Sequence, residues 1–172
     1  MNHNNITLIG MPGAGKSTVG VVLAKVLGYR FLDSDLAIQE QTKKKLHELI
    51  SFYGEKGFLE IENQVNAAIS VSNTVIATGG SAVFGEEAMR HLQEISTVVY
   101  LKLSYESLKE RLGDLHERGV VMEQGQTLSD LMDIRCPLYE KYAHITIEAD
   151  QLDIRAIVQK ITASASLESC SG

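Results

Sequence analysis

Five short apolar runs punctuate the chain, and longer stretches with apolar residues every three or four positions separate them. Ile6-Thr7-Leu8-Ile9 and residues 29–32, 74–77, 97–101 and 145–147 are brief and β-branched or apolar, which predicts buried strands. The helical period predicts helices over about 16–27, 35–41, 46–53, 57–71, 85–94, 104–112, 127–141 and 153–163. In the first of these, Val19, Val22, Leu23, Val26 and Leu27 share one apolar stripe. Strand alternating with helix predicts an α/β fold, a five-stranded parallel sheet flanked by helices on both faces. No repeat or linker interrupts residues 1–163, so one domain is expected, followed by a small, polar and flexible tail over 164–172.

The turn after the first run carries the most specific chemistry. Gly10-Met11-Pro12-Gly13-Ala14-Gly15-Lys16-Ser17 fits the phosphate-loop pattern G-x-x-x-x-G-K-[ST] in full. A strand, a glycine-rich turn and a helix N-terminus surround a polyphosphate with backbone N–H groups. The glycines let the backbone curl where a Cβ would clash. Lys16 can reach the outer phosphates, and the Ser17 hydroxyl can ligate Mg²⁺. These residues predict that the chain binds a nucleoside triphosphate.

Ligands of a parallel sheet gather at the carboxyl ends of its strands, and further polar clusters fall there. Asp33-Ser34-Asp35 follows the second run. If the strand stays extended, Asp33 and Asp35 project to one side, where one could hold a Mg²⁺-bound water and the other accept a proton from a substrate hydroxyl. Alternatively, one of them caps a helix beginning at Leu36. Thr78-Gly79-Gly80-Ser81 follows the third run, and its glycines would admit a ligand close to the backbone. Arg111, Arg118 and Arg135 lie in or beside helices flanking a glycine-containing segment, 113–126, of mixed charge. Its composition predicts a flexible lid bringing an arginine to a transferring phosphate.

Composition narrows the classes. A chain of 172 residues with net charge −6 is long enough for a sizeable core and lacks the basic balance of a nucleic-acid binder. No apolar run is long enough to cross a bilayer, and Met1-Asn2-His3-Asn4-Asn5 is polar, so neither a membrane anchor nor a leader is expected. The two cysteines, Cys136 and Cys170, make no disulfide framework, and neither cysteines nor histidines show metal-ligand spacing. A cytoplasmic location is expected.

In their order, these motifs resemble the shikimate kinase family, within the nucleoside-monophosphate-kinase-like phosphate-loop kinases. The likeness spans about residues 5–162 and includes Arg135-Cys136-Pro137-Leu138-Tyr139 after the lid and Ala149-Asp150 after the last strand, similar to the family's adenine loop. It implies a three-layer P-loop kinase fold with a lid loop and acceptor-binding helices over about 35–62. By resemblance, ATP is held by Gly13, Ala14, Gly15, Lys16, Ser17 and Thr18, with Arg111 stacked on adenine and Arg118 reaching in from the lid. Mg²⁺ would be held by Ser17 and, through water, Asp33. The acceptor would be held by Asp35, Gly79, Gly80 and Arg135. Lys16, Asp35 (as base) and Arg118 would carry the catalysis, and the chain would act as a monomer.

Three positions depart from the family pattern. Leu59, in Phe58-Leu59-Glu60-Ile61-Glu62, stands where the family has an arginine that grips the acceptor carboxylate. Loss of one charge-assisted hydrogen bond costs about 1.5–3 kcal/mol, or roughly ten- to a hundredfold in affinity. Leu59 would set an apolar group beside that carboxylate, unless a nearby cation such as Lys56 supplied the charge. Ser81 ends the glycine triplet, and Arg118-Gly119-Val120-Val121 replaces the usual Arg-Pro-Leu-Leu of the lid. The resemblance implies ATP-dependent phosphorylation of shikimate to shikimate 3-phosphate, in aromatic amino acid biosynthesis. The acceptor-side departures leave open another small, hydroxylated, anionic acceptor or a polyol. A nucleotide acceptor is opposed by the lack of any arginine between Leu36 and Glu62. A nucleotide-binding regulator without turnover is opposed by intact Lys16, Ser17, Asp33 and Asp35.

Overall fold

The computed structural model describes residues 4–112 and 125–169. It contains strands β1 (Ile6–Ile9), β2 (Arg30–Asp33), β3 (Thr74–Ala77), β4 (Thr97–Lys102) and β5 (Ile145–Glu148). All pair in parallel, in the order β2-β3-β1-β4-β5. Seven α-helices flank the sheet: α1 (Lys16–Leu27), α2 (Ser34–Thr42), α3 (Leu46–Ala67), α4 (Glu86–Ile95), α5 (Tyr105–Leu112), α6 (Leu128–Tyr142) and α7 (Ile154–Ser169). A 3₁₀ turn at Ala82–Phe84 precedes α4.

Position in the sheet explains the sequence texture of each strand. β1 and β3 are buried at every position, as inner strands covered on both faces must be. β5, at an edge, alternates, with Ile147 buried between exposed Thr146 and Glu148. The main core gathers Leu8, Ile9, Leu23, Val75, Ile76, Leu92, Val99, Leu108, Tyr139 and Ile161 around the sheet. A smaller cluster of Ile38, Leu49, Phe58 and Val65 joins α2 to α3.

At the amino-terminal edge of the sheet, buried Asn5 donates to Val71 O (2.8 Å) and Ile95 O (2.9 Å) and accepts from Thr74 N (3.0 Å). One amide thereby ties the segments entering β1, β3 and β4.

Several elements differ from the sequence expectation. The helices expected over 46–53 and 57–71 form one element, α3, broken only at Gly54, whose φ of 72° and ψ of 174° are non-helical. α3 stops at Ala67, and the apolar residues beyond it, Ile69 and Val71, pack into the core from a turn instead. α7 runs to Ser169, taking in residues whose composition suggested a tail. β2 extends to Asp33 and α2 begins at Ser34, which changes the geometry of the aspartate pair.

Candidate active site

β1 and β3 are neighbours, with Leu8 level with Ala77, so the turns that follow them meet. Thr78 fixes the junction by donating its N–H and its hydroxyl to Leu8 O, at 3.2 and 2.9 Å. The cavity above this junction, about 480 Å³, is lined by Gly13, Gly15, Lys16, Ser17, Thr18, Asp35, Phe58, Gly79, Gly80, Ser81 and Arg135, among others. Every described residue expected to bind phosphate, metal or acceptor lines it except Ala14, buried beneath the loop, and Asp33. Arg111 stands at the rim. Arg118, and most of the expected lid, lies outside the described residues.

The loop adopts left-handed backbone at Gly13 (φ 80°) and Gly15 (φ 88°), conformations that glycine takes without a Cβ penalty. Gly15 caps α1 but offers no side chain, so the first-turn amides of α1 have no side-chain acceptor. They are available to an anion, which the helix N-terminus favours. Lys16 is buried and donates to the loop's own carbonyls, Gly10 O at 2.8 Å and Met11 O at 2.9 Å. Burial lowers its pKa to about 8, opposed by Asp35. Arg111, from α5, leans over the loop and donates to Gly13 O at 3.4 Å. Asp150 accepts from Ser104 N (3.1 Å) and Ser107 Oγ (2.6 Å), tying the turn after β5 to the start of α5.

The capping alternative holds at Asp33, for a helix that begins at Ser34. Asp33 Oδ1 caps α2 by accepting from Asp35 N (3.0 Å) and Leu36 N (3.4 Å), while Oδ2 accepts from Ser17 Oγ at 2.9 Å. Asp35 is not on an extended strand: it sits in the first turn of α2, and the helix turns it into the cavity. Desolvation raises the Asp35 pKa, as does the charge of Asp33, with Lys16 opposing. Ser17 and Asp33 present hard oxygen donors at the end of the loop, which suits Mg²⁺ held jointly by one or two protein groups and substrate phosphates.

The glycine turn, which lines the cavity, also has a steric cause that the sequence did not disclose. Neither Gly79 nor Gly80 has positive φ. A Cβ on Gly79 would lie 2.8 Å from both Asp35 Oδ1 and Glu62 Oε1, and one on Gly80 would lie 2.7 Å from Pro12 Cδ. The turn is glycine because two carboxyls and the phosphate loop press against it.

Arg135 comes from α6 and is almost fully buried, its guanidinium 5.4 Å from the Phe84 ring centroid. Its charge reaches Lys16 and Glu62. Tyr139, one turn on, hydrogen-bonds with Arg135 and donates to Gly80 O. Sequence reasoning missed Tyr139 and did not place Glu62 in the site. Glu62 follows Phe58 by four residues and so shares its buried helix face, a polar residue on an apolar stripe. That spacing was the available signal.

Leu59 and Lys56 lie on the outer side of α3 from the cavity's lining. Leu59 packs against the Ile38–Leu49–Phe58–Val65 cluster and lines a separate groove with Lys56, Glu60, Asn63, Phe84 and Arg90. Neither Leu59 nor Lys56 is among the residues that line the cavity of Lys16 and Asp35.

A phosphate loop on an all-parallel sheet, with a carboxylate and a buried arginine in the same cavity, defines a P-loop phosphotransferase acting on a hydroxyl. Comparison with known proteins names the family. A family model described as shikimate kinase matches residues 12–166. A shikimate kinase of Pseudomonas paraeruginosa is 38% identical over 160 residues, covering 91% of this chain and 93% of the relative. One of Haemophilus influenzae is 35% identical over 161 residues, covering 91% and 89%. Among solved structures, shikimate kinase from Acinetobacter baumannii in complex with shikimate superposes with a TM-score of 0.87 at 37% identity, covering 95% of this chain and 93% of that one. The Aquifex aeolicus shikimate kinase gives 0.79 at 27% identity, covering 98% and 99%. The chain belongs to the shikimate kinase family.

Proposed function

We infer that this protein transfers the γ-phosphate of ATP to a hydroxyl of shikimate. The observation that carries the reading is the shared cavity of Lys16, Asp35 and buried Arg135, which pairs a phosphate cradle with groups suited to a hydroxylated carboxylate. The A. baumannii relative was solved with shikimate bound, which supports the same acceptor here.

In this reading the amides of residues 13–18 and the Lys16 ammonium hold the phosphates in line with the acceptor. Lys16 must leave its two carbonyls to do so, exchanging neutral partners for charged ones. Arg135 takes the acceptor carboxylate and is held in place by Tyr139 and the Phe84 ring. Asp35 accepts the hydroxyl proton. Its pKa, raised by burial, makes it a better base than an exposed aspartate. Ser17 and Asp33 would hold Mg²⁺, which offsets charge on the transferring phosphate. Arg111 covers the nucleotide, and Arg118 is assigned to the transferred phosphate. We place the enzyme in the cytoplasm as a monomer acting without nucleic acid; no helix among the described residues is long and apolar enough to cross a membrane.

The test is ADP release by the pure protein with ATP and Mg²⁺, with and without shikimate. Strong stimulation at sub-millimolar shikimate is expected. ATP binding without stimulation would overturn the acceptor assignment and move the search to other hydroxylated acids.

A further inference from the structure

Glu62 is the most heavily buried carboxyl of the cavity region, with 1% of its surface exposed. Its Oε2 accepts from Ser81 Oγ at 2.6 Å, and its Oε1 has no hydrogen-bond partner. Oε1 faces Asp35 Oδ1 across Gly79, each 2.8 Å from the place a Cβ would take. The charged groups acting on it are Asp35 from α2, Lys16 from α1 and Arg135 from α6. From the turn before α4 it receives only the Ser81 hydroxyl. Glu86, Glu87 and Arg90 of α4 line the separate groove beside Lys56 and Glu60. An ionised Glu62 would therefore be a buried anion with one neutral donor, beside a second carboxylate, drawing on the field of Arg135.

Resting on the acceptor reading above, we propose that Glu62, held by Ser81, is a specificity-determining positioning residue: the enzyme binds its anionic acceptor with Glu62 uncharged, so acceptor binding takes up a proton. An ionised Glu62 and the acceptor carboxylate compete for Arg135; a neutral Glu62 leaves that guanidinium to the acceptor. Burial raises the Glu62 pKa to about 7, with the Ser81 hydrogen bond opposing. The neutral form is thus populated below about pH 7 and lost above it. By linkage, an acceptor that prefers the neutral form raises this pKa when it binds.

The experiment measures acceptor KM against pH for the wild-type chain, Glu62→Gln and Ser81→Ala, with proton uptake on shikimate binding followed by calorimetry in two buffers. In the wild type, KM for shikimate should rise about tenfold from about pH 6 to about pH 8, while KM for ATP changes less. Glu62→Gln should flatten the profile and abolish proton uptake. Ser81→Ala removes a bond that favours the ionised form, so the midpoint should move to higher pH. A purely structural role would lower stability and leave the midpoint in place. If Glu62→Gln does not fold, the Ser81→Ala shift decides alone. Shikimate-dependent turnover with a pH-independent KM, or a profile that persists in Glu62→Gln, overturns the role of Glu62 and leaves the acceptor assignment standing. No shikimate-dependent turnover at any pH overturns the acceptor assignment, and this proposal with it.

Discussion

On the proposed function the cavity divides into a nucleotide half and an acceptor half, and the two are built from different materials. The nucleotide half comes largely from one contiguous segment, residues 10–18, and works through backbone: left-handed glycines, uncapped amides of α1 and one lysine. The acceptor half is assembled from side chains on α2, α3, the turn after β3 and α6, with Asp35, Glu62, Ser81 and Arg135 far apart in sequence. A backbone cradle tolerates little change, because its geometry is set by turn conformation. A side-chain cradle can be altered one residue at a time. Among the described residues, the departures spare the phosphate loop: Ser81 falls on the acceptor half and Leu59 in the neighbouring groove.

Lys16→Met should test the nucleotide half most severely. It removes the one buried cation of the loop, and shikimate-dependent ADP release should fall by about three orders of magnitude or more. An unchanged rate would dissolve the division. Asp35→Asn should lower kcat by roughly 10²- to 10⁴-fold while the ATP Kd, read by titration, moves little. Equal damage to ATP binding would place Asp35 on the nucleotide side of the line. Gly79→Ala should raise acceptor KM by about tenfold, because its Cβ would push on both carboxyls, with KM for ATP nearly constant. A matching loss in ATP affinity would show the halves to be mechanically coupled. Lys56→Ala sharpens the outer boundary: it lies in the separate groove, so acceptor KM should stay within about twofold. A tenfold rise would bring that groove into the acceptor site.

The same division governs what the sequence disclosed. The phosphate loop is local, so its motif and flanks sufficed. The parallel sheet was legible because β1 and β3 read as unbroken apolar runs. The end of α3 was not, because Ile69 and Val71 continue an apolar pattern whether they sit in a helix or a core-packed turn. The aspartate pair reads either with an extended backbone or as a helix cap, and which of the two applies depends on where β2 gives way to α2, a boundary that Asp33 sets by capping a helix that begins at Ser34. Glu62 and Ser81 meet across 19 positions, and the direction in which Leu59 points depends on how α3 rotates against α2 and α4. Such facts belong to packing, which periodicity approximates only to a helix face.

Asn5 gives this arrangement a practical side. Its three hydrogen bonds close the edge of the sheet opposite the cavity and share no residue with the phosphate loop or the acceptor wall. For anyone wishing to teach this scaffold a new acceptor, Asn5 is the position to leave alone. Randomising the positions around Phe58 and Ser81 spares the clamp, whereas a single change at Asn5 would loosen the entry to three strands at once. Room to evolve at one end of the sheet is underwritten by an amide at the other.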